Sequence, residues 1–535
     1  MEPKIVGRNI GDGEPGRPGA STIVEARRVS LLSYSPGLVA VAIAIADSIA
    51  VIDPDLWGHV RFGQAFLANR GPLFRDPYSY SAFGHSWVDY EWLGDVVMAA
   101  AFNHLGLAGL LMLKLGCAAV LVIFLVMALA ETGASTQIQF GVLVFAAVVI
   151  RPQLQFRPQS FTMAMLAILM WLLARDAYRR AGRLWLAVPL IALWANLHGG
   201  FVMGIAALGI YAAISGLQDL LRNRDYRRIL SLTAIVFAAA LATLATPYGF
   251  HTWVAIVAVL RDPFTHDVIT EWQPLLPTMV LAWRVHGPHV SNYEIGVGLM
   301  AAMALVWPLS IEAADLPLVA IAAAFSLAAF IAQRNLPLAA IAIAVPLARH
   351  LHLLVTRRSG LARRARWSPG WWWLNQALLV AIACAILIQG GALARSLRST
   401  DPYPVSACDF MQRHHLAGNI LNDYEWGEYL IWRMAPHSRV FIDGREDTAY
   451  PLKIIATYML FHYDLFDGGP IFKDFHHDYI LIRADAKSRL LVDSNPHWKL
   501  IYEDPAARLY APAASAAARL PGVPIKGVAL PVRFP

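Results

Sequence analysis

The feature that most constrains this chain is a series of apolar runs, each close to the length that crosses a lipid bilayer. A membrane-spanning helix needs about 20 mostly apolar residues. The chain has 535 residues, of which 57% are hydrophobic and 15% charged, whereas soluble domains are about 45–50% apolar and about 25% charged. We place the runs at residues 31–52, 106–130, 134–150, 160–174, 184–197, 200–221, 229–246, 293–309, 315–331, 336–354 and 371–391. The sequence therefore predicts a polytopic α-helical membrane protein with about eleven transmembrane helices, and it excludes a soluble enzyme.

Basic residues between the runs predict how the chain is oriented. They cluster before the first run and in the segments 175–183, 222–228 and 349–366. Cytoplasmic loops of membrane proteins carry such clusters. If all four clusters face the cytoplasm, the alternate loops and the segment after residue 391 face the outside. The net charge of +7 comes from these loops, so we predict membrane lipids as partners and no nucleic acid.

Composition divides the chain into further parts. Residues 1–29 are polar and rich in Gly and Pro, which predicts a disordered cytoplasmic arm. Residues 30–392 form the transmembrane domain, with a first external loop at 53–91 and a late external loop at 248–292. Strand-like runs at 419–422, 439–443, 479–483 and 498–502 alternate with helical stretches, which predicts an extracytoplasmic α/β domain over 400–513, followed by a tail at 514–535. The scattered cysteines predict neither a disulfide framework nor a zinc site: Cys117, Cys384 and Cys408.

The first external loop concentrates polar and aromatic residues at the predicted membrane surface. It begins Asp53-Pro54-Asp55-Leu56-Trp57-Gly58-His59. Two aspartates in an Asp-x-Asp pattern indicate either a solvated turn or a pair of divalent-metal ligands. Aromatic residues are common at membrane interfaces, so an ordinary interfacial loop is an equal alternative for any single residue. The candidate binding residues in this loop are Trp57, His59, Arg61, Asp76, Asp89 and Glu91.

Three other segments supply candidate residues. Arg151 and Arg157 lie in a short predicted external loop, where they could equally bind anionic lipid headgroups. His198 precedes two glycines in a tight turn between two runs. The late external loop contributes Glu271. Asp47 lies inside the first apolar run, where an ionisable residue usually faces a cavity or a partner, although a shorter run would leave it at the interface.

The position of the Asp-x-Asp motif, at the outer end of the first run, resembles the GT-C superfamily of integral-membrane glycosyltransferases. More narrowly, the chain is similar to bacterial multi-pass proteins whose first loop reads Asp-Pro-Asp-Leu-Trp-Trp-His-Leu, with Gly58 here in place of the second Trp. The segments that also match are 194–201, 422–430 and 440–445. The resemblance implies a polyprenyl-phosphate or polyprenyl-diphosphate sugar as donor and a glycan, lipid or protein as acceptor.

Sugar transfer gives these residues chemical roles. Attack of an acceptor hydroxyl on the anomeric carbon passes through an oxocarbenium-like state, and a carboxylate can accept the proton and stabilise the positive charge. We predict Asp53 and Asp55 as that base in an inverting reaction. The departing phosphate needs cations, which Arg61, Arg151, Arg157 and His198 could supply. A divalent metal, Mg²⁺ or Mn²⁺, held by Asp53 and Asp55 is an alternative.

Two alternative functions fit the same motifs. A transporter or flippase for lipid-linked glycans would need charges deep within several runs. A non-catalytic binding protein could retain the tryptophans with a decayed site, an idea that Gly58 supports. In the C-terminal domain, Asp443-Gly444-Arg445 reads more readily as a turn than as an acceptor contact. High Arg over Lys content and Ala-rich runs indicate a bacterial inner-membrane protein with a cytoplasmic N-terminus and a periplasmic C-terminal domain.

Overall fold

The computed structural model describes residues 53–222, 226–262, 269–287, 289–359, 403–465, 468, 470–520 and 523–524. The first and last predicted runs, Asp47, Cys384 and the predicted N-terminal arm lie outside the described residues. The helices up to residue 359 are α1 Leu56–Asn69, α2 Trp92–Leu105, α3 Leu107–Glu131, α4 Thr136–Ile150, α5 Gln159–Arg179, α6 Ala187–Leu197, α7 Phe201–Arg222, α8 Tyr226–Ala242, α9 His251–Arg261, α10 Leu275–His286, α11 Asn292–Val306, α12 Leu316–Ile331 and α13 Leu336–Ser359.

Apolar runs of membrane length form helices in the structure. Each predicted run between residues 106 and 354 coincides with a helix from α3 to α8 or from α11 to α13. Six of these described helical stretches are long and apolar enough to cross a membrane by length and composition. In contrast, α4, α6 and α8 have 15, 11 and 17 residues and fall short of the usual span. A multi-pass helical membrane protein is therefore confirmed, while the count of eleven stays a prediction.

Two segments that the sequence predicted as external loops contain helices. The segment 53–91 includes α1, and the segment 248–292 includes α9 and α10. These helices have 14, 11 and 12 residues. A search for apolar runs of membrane length overlooks helices this short, because each is interrupted by polar residues or ends before a bilayer is crossed.

One end of the helical bundle carries ion pairs made by arginines of the predicted basic segments. At one end, Arg180 and Arg228 both bind Asp219, while Arg349 binds Asp315 and donates to the backbone carbonyl of Thr132. Three of the predicted basic segments therefore lie together at this end. The helices α5, α7 and α13 end here and begin at the opposite end, which we call the site end.

The C-terminal part is a small α/β domain, as the sequence predicted. Its six strands form one sheet in the order β2-β1-β3-β5-β4-β6, with β1 parallel to β2 and β3, and β5 antiparallel to β3 and β4. The elements are α14 Val405–Arg413, β1 Asn419–Asn422, α15 Gly427–Met434, β2 Arg439–Val440, α16 Glu446–Ala449, α17 Leu452–His462, α18 Ile471–Asp474, β3 Tyr479–Arg483, α19 Arg489–Ser494, β4 Trp498–Glu503, β5 Ala507–Pro512 and β6 Val523–Pro524. The last two strands were not predicted.

The segment 53–91 packs against this domain and shares a hydrophobic core with it. Trp57 of α1 is fully buried, and its ring stacks on Trp432 of α15 with centroids 4.2 Å apart. The backbone N–H of Tyr80 donates to the carbonyl of Val440 at 3.0 Å, so the segment also extends the sheet beside β2. This packing fixes the position of Asp53 and Asp55, which directly precede α1, relative to α15, because α1 and α15 belong to one core.

Candidate functional site

A cavity of about 800 Å³ lies at the site end, between the helical bundle and the α/β domain. Its volume is within the range of about 300–1,000 Å³ that small-molecule sites occupy. Carboxylates and arginines both line it, together with aromatic side chains that include Tyr90 and Trp272. The charged lining residues are Asp53, Asp55, Asp89, Glu91, Asp95, Glu271, Asp423, Glu425, Glu428, Arg157, Arg334, Arg445 and Arg483.

Arg157 joins three of the predicted site residues. Its Nε lies 2.7 Å from Asp53 Oδ1, its Nη1 lies 3.2 Å from Glu271 Oε1, and its Nη2 is ion-paired with Asp55. Arg157 comes two residues before α5, so the start of that helix carries it to the cavity. Asp53 is 4% exposed, and burial raises its pKa although the positive charge of Arg157 opposes the rise. One guanidinium thus neutralises carboxylates from the first and late external segments.

The prediction of a divalent metal at Asp53 and Asp55 can be compared with this arrangement. Carboxylate oxygens are the ligands that Mg²⁺ and Mn²⁺ prefer. Here those oxygens already face the guanidinium of Arg157, whose charge would repel a metal ion at the same place. Within the described residues, no group of three or more His, Cys, Asp or Glu side chains is arranged to hold a metal. The two aspartates, as placed, do not fit a metal ion.

A second acidic group surrounds His59. Its Nδ1 lies 2.8 Å from Asp95 Oδ1 and 4.0 Å from Glu91 Oε2. Burial raises the pKa of Glu91 to about 8, although His59 opposes the rise. Burial, together with the charge of Asp95, also raises the pKa of Asp89 well above its usual value. Burial therefore favours the protonated form of Glu91, which can donate a hydrogen bond.

His198 has its tautomer set by its neighbours. The backbone N–H of Gly200 donates to His198 Nδ1 at 2.8 Å. The hydroxyl of Thr162 lies 2.8 Å from the same nitrogen and accepts from Trp194 Nε1, so it donates to the histidine. Because Nδ1 accepts, the ring proton is on Nε2, which lies 3.3 Å from Glu91 Oε1. Burial lowers the pKa of His198 to about 3, and the charges of Arg334, His59 and Arg157 add to the effect.

Arg334 is a cavity cation that the sequence analysis missed. It lies in the turn between α12 and α13, with its guanidinium carbon 4.3 Å from the ring centroid of Trp272. The same turn is fixed to the late external segment, since the backbone N–H of Gln333 donates to the carbonyl of Gln273 at 3.0 Å. Among the described residues, no carboxylate lies within ion-pair distance of Arg334.

Glu428 was also missed as a site residue, although it lies in a matched motif. It occupies the first turn of α15 and is 4% exposed. Burial raises the pKa of Glu428 well above its usual value, with a further rise from Asp443 that Arg445 and Arg157 oppose. Its Oε2 has no hydrogen-bond partner among the described residues.

Eight of the twelve predicted site residues line the cavity: Asp53, Asp55, His59, Asp89, Glu91, Arg157, His198 and Glu271. Four are not among its lining residues: Trp57, Arg61, Asp76 and Arg151. Trp57 belongs to the shared core. Asp76 is 1% exposed and accepts hydrogen bonds from the backbone N–H groups of Tyr78 and Ser79. It also binds Arg445 at 2.8 Å, so its contacts hold the segment 53–91 on the α/β domain.

The segment Asp443-Gly444-Arg445 is a buried charged turn, as its sequence favoured, and it also reaches the cavity. Arg445 pairs with Asp443 at 2.7 Å, while Gly444 and Arg445 line the cavity.

The sequence does contain features that could have indicated two of the cavity residues that were not predicted, Asp95 and Arg334. Asp95 follows Glu91 by four residues, which places both on one face where α2 begins. Arg334 is a lone charge between two apolar runs, on the side that the arginine count makes external.

Comparison with known proteins finds distant matches among solved structures. No family model matches the chain, and no curated protein matches it by sequence. The oligosaccharyltransferase of Archaeoglobus fulgidus, solved tethered to an acceptor peptide, is 14% identical, with 90% of this chain and 74% of that chain covered and a TM-score of 0.45. ArnT of Cupriavidus metallidurans, solved bound to undecaprenyl phosphate, is 12% identical, with 91% and 98% covered and a TM-score of 0.46. Both are GT-C glycosyltransferases, the superfamily that the sequence motifs resemble. With both TM-scores below 0.5, the matches assign neither a donor nor an acceptor.

Proposed function

We propose that this protein is a membrane glycosyltransferase that moves a sugar from a polyprenyl-phosphate or polyprenyl-diphosphate donor to a lipid, glycan or protein acceptor. The observation that carries the proposal is Arg334, a cation without an ion-pair partner among the described residues, in a cavity otherwise rich in carboxylates. A phosphate needs such a cation, whereas the carboxylates suit the hydroxyl groups of a sugar and the positive charge of an oxocarbenium-like state.

The position of Arg334 suits a donor that is anchored in the membrane. It lies at the start of Gln333–Arg357, which follows Ala313–Ile331, and both stretches are long and apolar enough to cross a bilayer. A phosphate attached to a membrane-embedded polyprenyl chain would be held at this depth. The sugar would then extend toward the carboxylates and the α/β domain. We place this end of the protein at the periplasmic face of a bacterial inner membrane, following the arginine pattern.

The sequence analysis predicted Asp53 and Asp55 as the catalytic base. At Asp53 the positive charge of Arg157 favours the charged form and opposes the rise in pKa that burial causes. Since both aspartates bind Arg157, we propose that they hold this guanidinium and Glu271 in position near the reacting sugar. Loss of either aspartate would then slow sugar transfer by misplacing the other members of the cluster.

The test is sugar transfer by purified protein in lipid nanodiscs. A panel of radiolabelled polyprenyl-phosphate sugars is supplied with extracted bacterial membrane acceptors, and both transfer and release of polyprenyl phosphate are measured. Arg334→Gln is expected to raise KM for the donor about 10-fold or more, because a charge-assisted hydrogen bond contributes roughly 1.5–3 kcal/mol. The control is Arg284→Gln, an exposed arginine of α10 outside the cavity lining.

Two results with the wild-type protein would contradict the proposal, and one result with the variant would remove the role of Arg334. Wild-type protein that binds these donors without turning any of them over would favour the non-catalytic alternative. Movement of intact donor across a sealed vesicle membrane, with no transfer, would favour a flippase. Equal donor KM values in Arg334→Gln and wild type would remove Arg334 from donor binding.

A further inference from the structure

Glu428 differs from the other carboxylates of the cavity in its contacts. Among the described lining residues, every other carboxylate has a hydrogen bond or an ion pair: Asp53, Asp55 and Glu271 with Arg157, Asp89 with the N–H of Glu91, Glu91 with His198, Asp95 with His59, Asp423 with the N–H of Glu425, and Glu425 with Arg483. In contrast, Glu428 Oε2 has no hydrogen-bond partner among the described residues, although the residue is more than nine-tenths buried. A buried carboxyl oxygen without a partner is costly, so it is typical of functional positions.

Two glycines create the space that Glu428 occupies. A Cβ atom on Gly58 would lie 2.0 Å from Glu428 Oε2, so any larger residue at position 58 would force the Glu428 side chain to move. A Cβ atom on Gly444 would lie 3.0 Å from Glu428 Oε1 and 2.6 Å from Asp55 Oδ1. The absence of a side chain at Gly58 therefore leaves room for the Glu428 carboxylate.

The same geometry places two carboxylates with different surroundings side by side. Asp55 is neutralised by Arg157, while Glu428 Oε2 lacks a hydrogen-bond partner among the described residues. Neighbouring carboxyl groups in different environments commonly divide the roles of stabiliser and proton acceptor.

We propose that Glu428 is the general base of sugar transfer, a role that rests on the proposed function. Burial raises the pKa of Glu428, so its ionised form is a stronger base than an exposed carboxylate. In that ionised form Glu428 takes the proton of the acceptor hydroxyl as the hydroxyl oxygen bonds to the anomeric carbon of the donor. The bond between that carbon and the phosphate oxygen breaks, and its electron pair leaves with the polyprenyl phosphate or diphosphate. The proton on Glu428 then passes to water, which restores the carboxylate.

The test compares Glu428→Gln and Glu428→Ala with wild type in the nanodisc assay. Glu428→Gln is expected to lower kcat roughly 100- to 10,000-fold, the usual contribution of a general base, with donor KM within about 2-fold. Thermal unfolding checks that each variant folds. The matched control is Glu503→Ala, a carboxylate of the same domain outside the cavity, which is expected to keep wild-type kcat.

Chemical rescue identifies the base directly. Sodium formate supplies a carboxylate that can enter the space left by an alanine. We expect formate to raise the kcat of Glu428→Ala by about 10-fold or more and to leave Asp53→Ala and Asp55→Ala unchanged. Near-wild-type kcat in Glu428→Gln, or rescue of an aspartate variant in place of Glu428→Ala, would overturn this assignment. Neither result would affect the proposed function, which fails only if wild-type protein transfers no sugar.

Discussion

Arg157 neutralises carboxylates that lie far apart in sequence, since Glu271 follows it by 114 residues. The sequence predicted Arg157, Asp53, Asp55 and Glu271 as site residues, because charged side chains in external loops stand out against apolar runs. It could not predict that one guanidinium binds all three carboxylates. Such pairing depends on how the late external segment folds back over α5, and no local pattern encodes that contact.

His198 gives a prediction for stability against pH. The pKa of His198 is lowered to about 3 by burial, whereas the unfolded chain takes up the proton near pH 6.5. Protons therefore favour the unfolded state as the pH falls from 6.5 toward 3, by at most about 1.4 kcal/mol per pH unit. His198→Asn removes the titrating group while its side-chain oxygen can still accept from Gly200. We expect a shallower loss of thermal stability between pH 6.5 and 5 in this variant than in wild type.

Thermal unfolding at several pH values, in the same detergent, gives the slope of the unfolding temperature against pH for the variant and for wild type. The remaining ionisable groups titrate alike in the two proteins, so the difference reports on His198. Identical slopes would mean that His198 is accessible to protons in the folded protein.

Among the helices and strands, the hydropathy pattern predicted the long helices of the bundle correctly, but it missed shorter elements outside them. The runs from residue 106 to 354 became helices because length and apolar content suffice to define such elements. The helix α1 was missed because its buried residues, such as Leu56 and Val60, alternate with polar ones over only four turns. The strand β5 was missed because Ala507–Pro512 begins with Ala and ends with Ala and Pro, residues that are depleted in strands, and because its burial depends on pairing with β3 and β4.

The contact between the segment 53–91 and the α/β domain is expected to depend on Arg445. Its side chain is 4% exposed and binds both Asp76 and Asp443. Removing one partner of such a buried group leaves uncompensated charge and costs about 3–5 kcal/mol. Arg445→Met is therefore expected to lower the unfolding temperature of the domain and to expose the segment 53–91 to limited proteolysis.

The control for this prediction is Arg483→Gln. Arg483 is 42% exposed and pairs with Glu425 and Asp485 at the surface, where an ion pair contributes about 0–1 kcal/mol. Equal unfolding temperatures and proteolysis patterns for the two variants would show that Arg445 does not hold the segment in place.

For the whole molecule, the account requires that the cavity and the basic loops lie on opposite sides of the membrane. The structure places them at opposite ends of α5, α7 and α13, and the positive-inside rule predicts that the basic end faces the cytoplasm. Leu490→Cys, 63% exposed in α19, is expected to react with a membrane-impermeant maleimide in cells with a permeabilised outer membrane. Arg183→Cys, exposed at the basic end, is expected to react only after the inner membrane is opened.

The native cysteines provide the background for this labelling. Cys117 and Cys408 are buried, and Cys384 lies outside the described residues, so both labelling variants are made in a Cys384→Ser background that is expected to label weakly. Labelling of both introduced cysteines from the same side would contradict the arrangement of the ends across the membrane.

The central claim is that one cavity holds the phosphate of a lipid-linked sugar at Arg334 and the sugar among the carboxylates. The most direct measurement is a cryo-electron microscopy map of the protein in a nanodisc with a non-transferable polyprenyl-phosphonate sugar. The account predicts the phosphonate within hydrogen-bond distance of the Arg334 guanidinium, and the sugar between Asp55 and Glu428. Density for the phosphonate at the basic end, or outside the cavity, would contradict it.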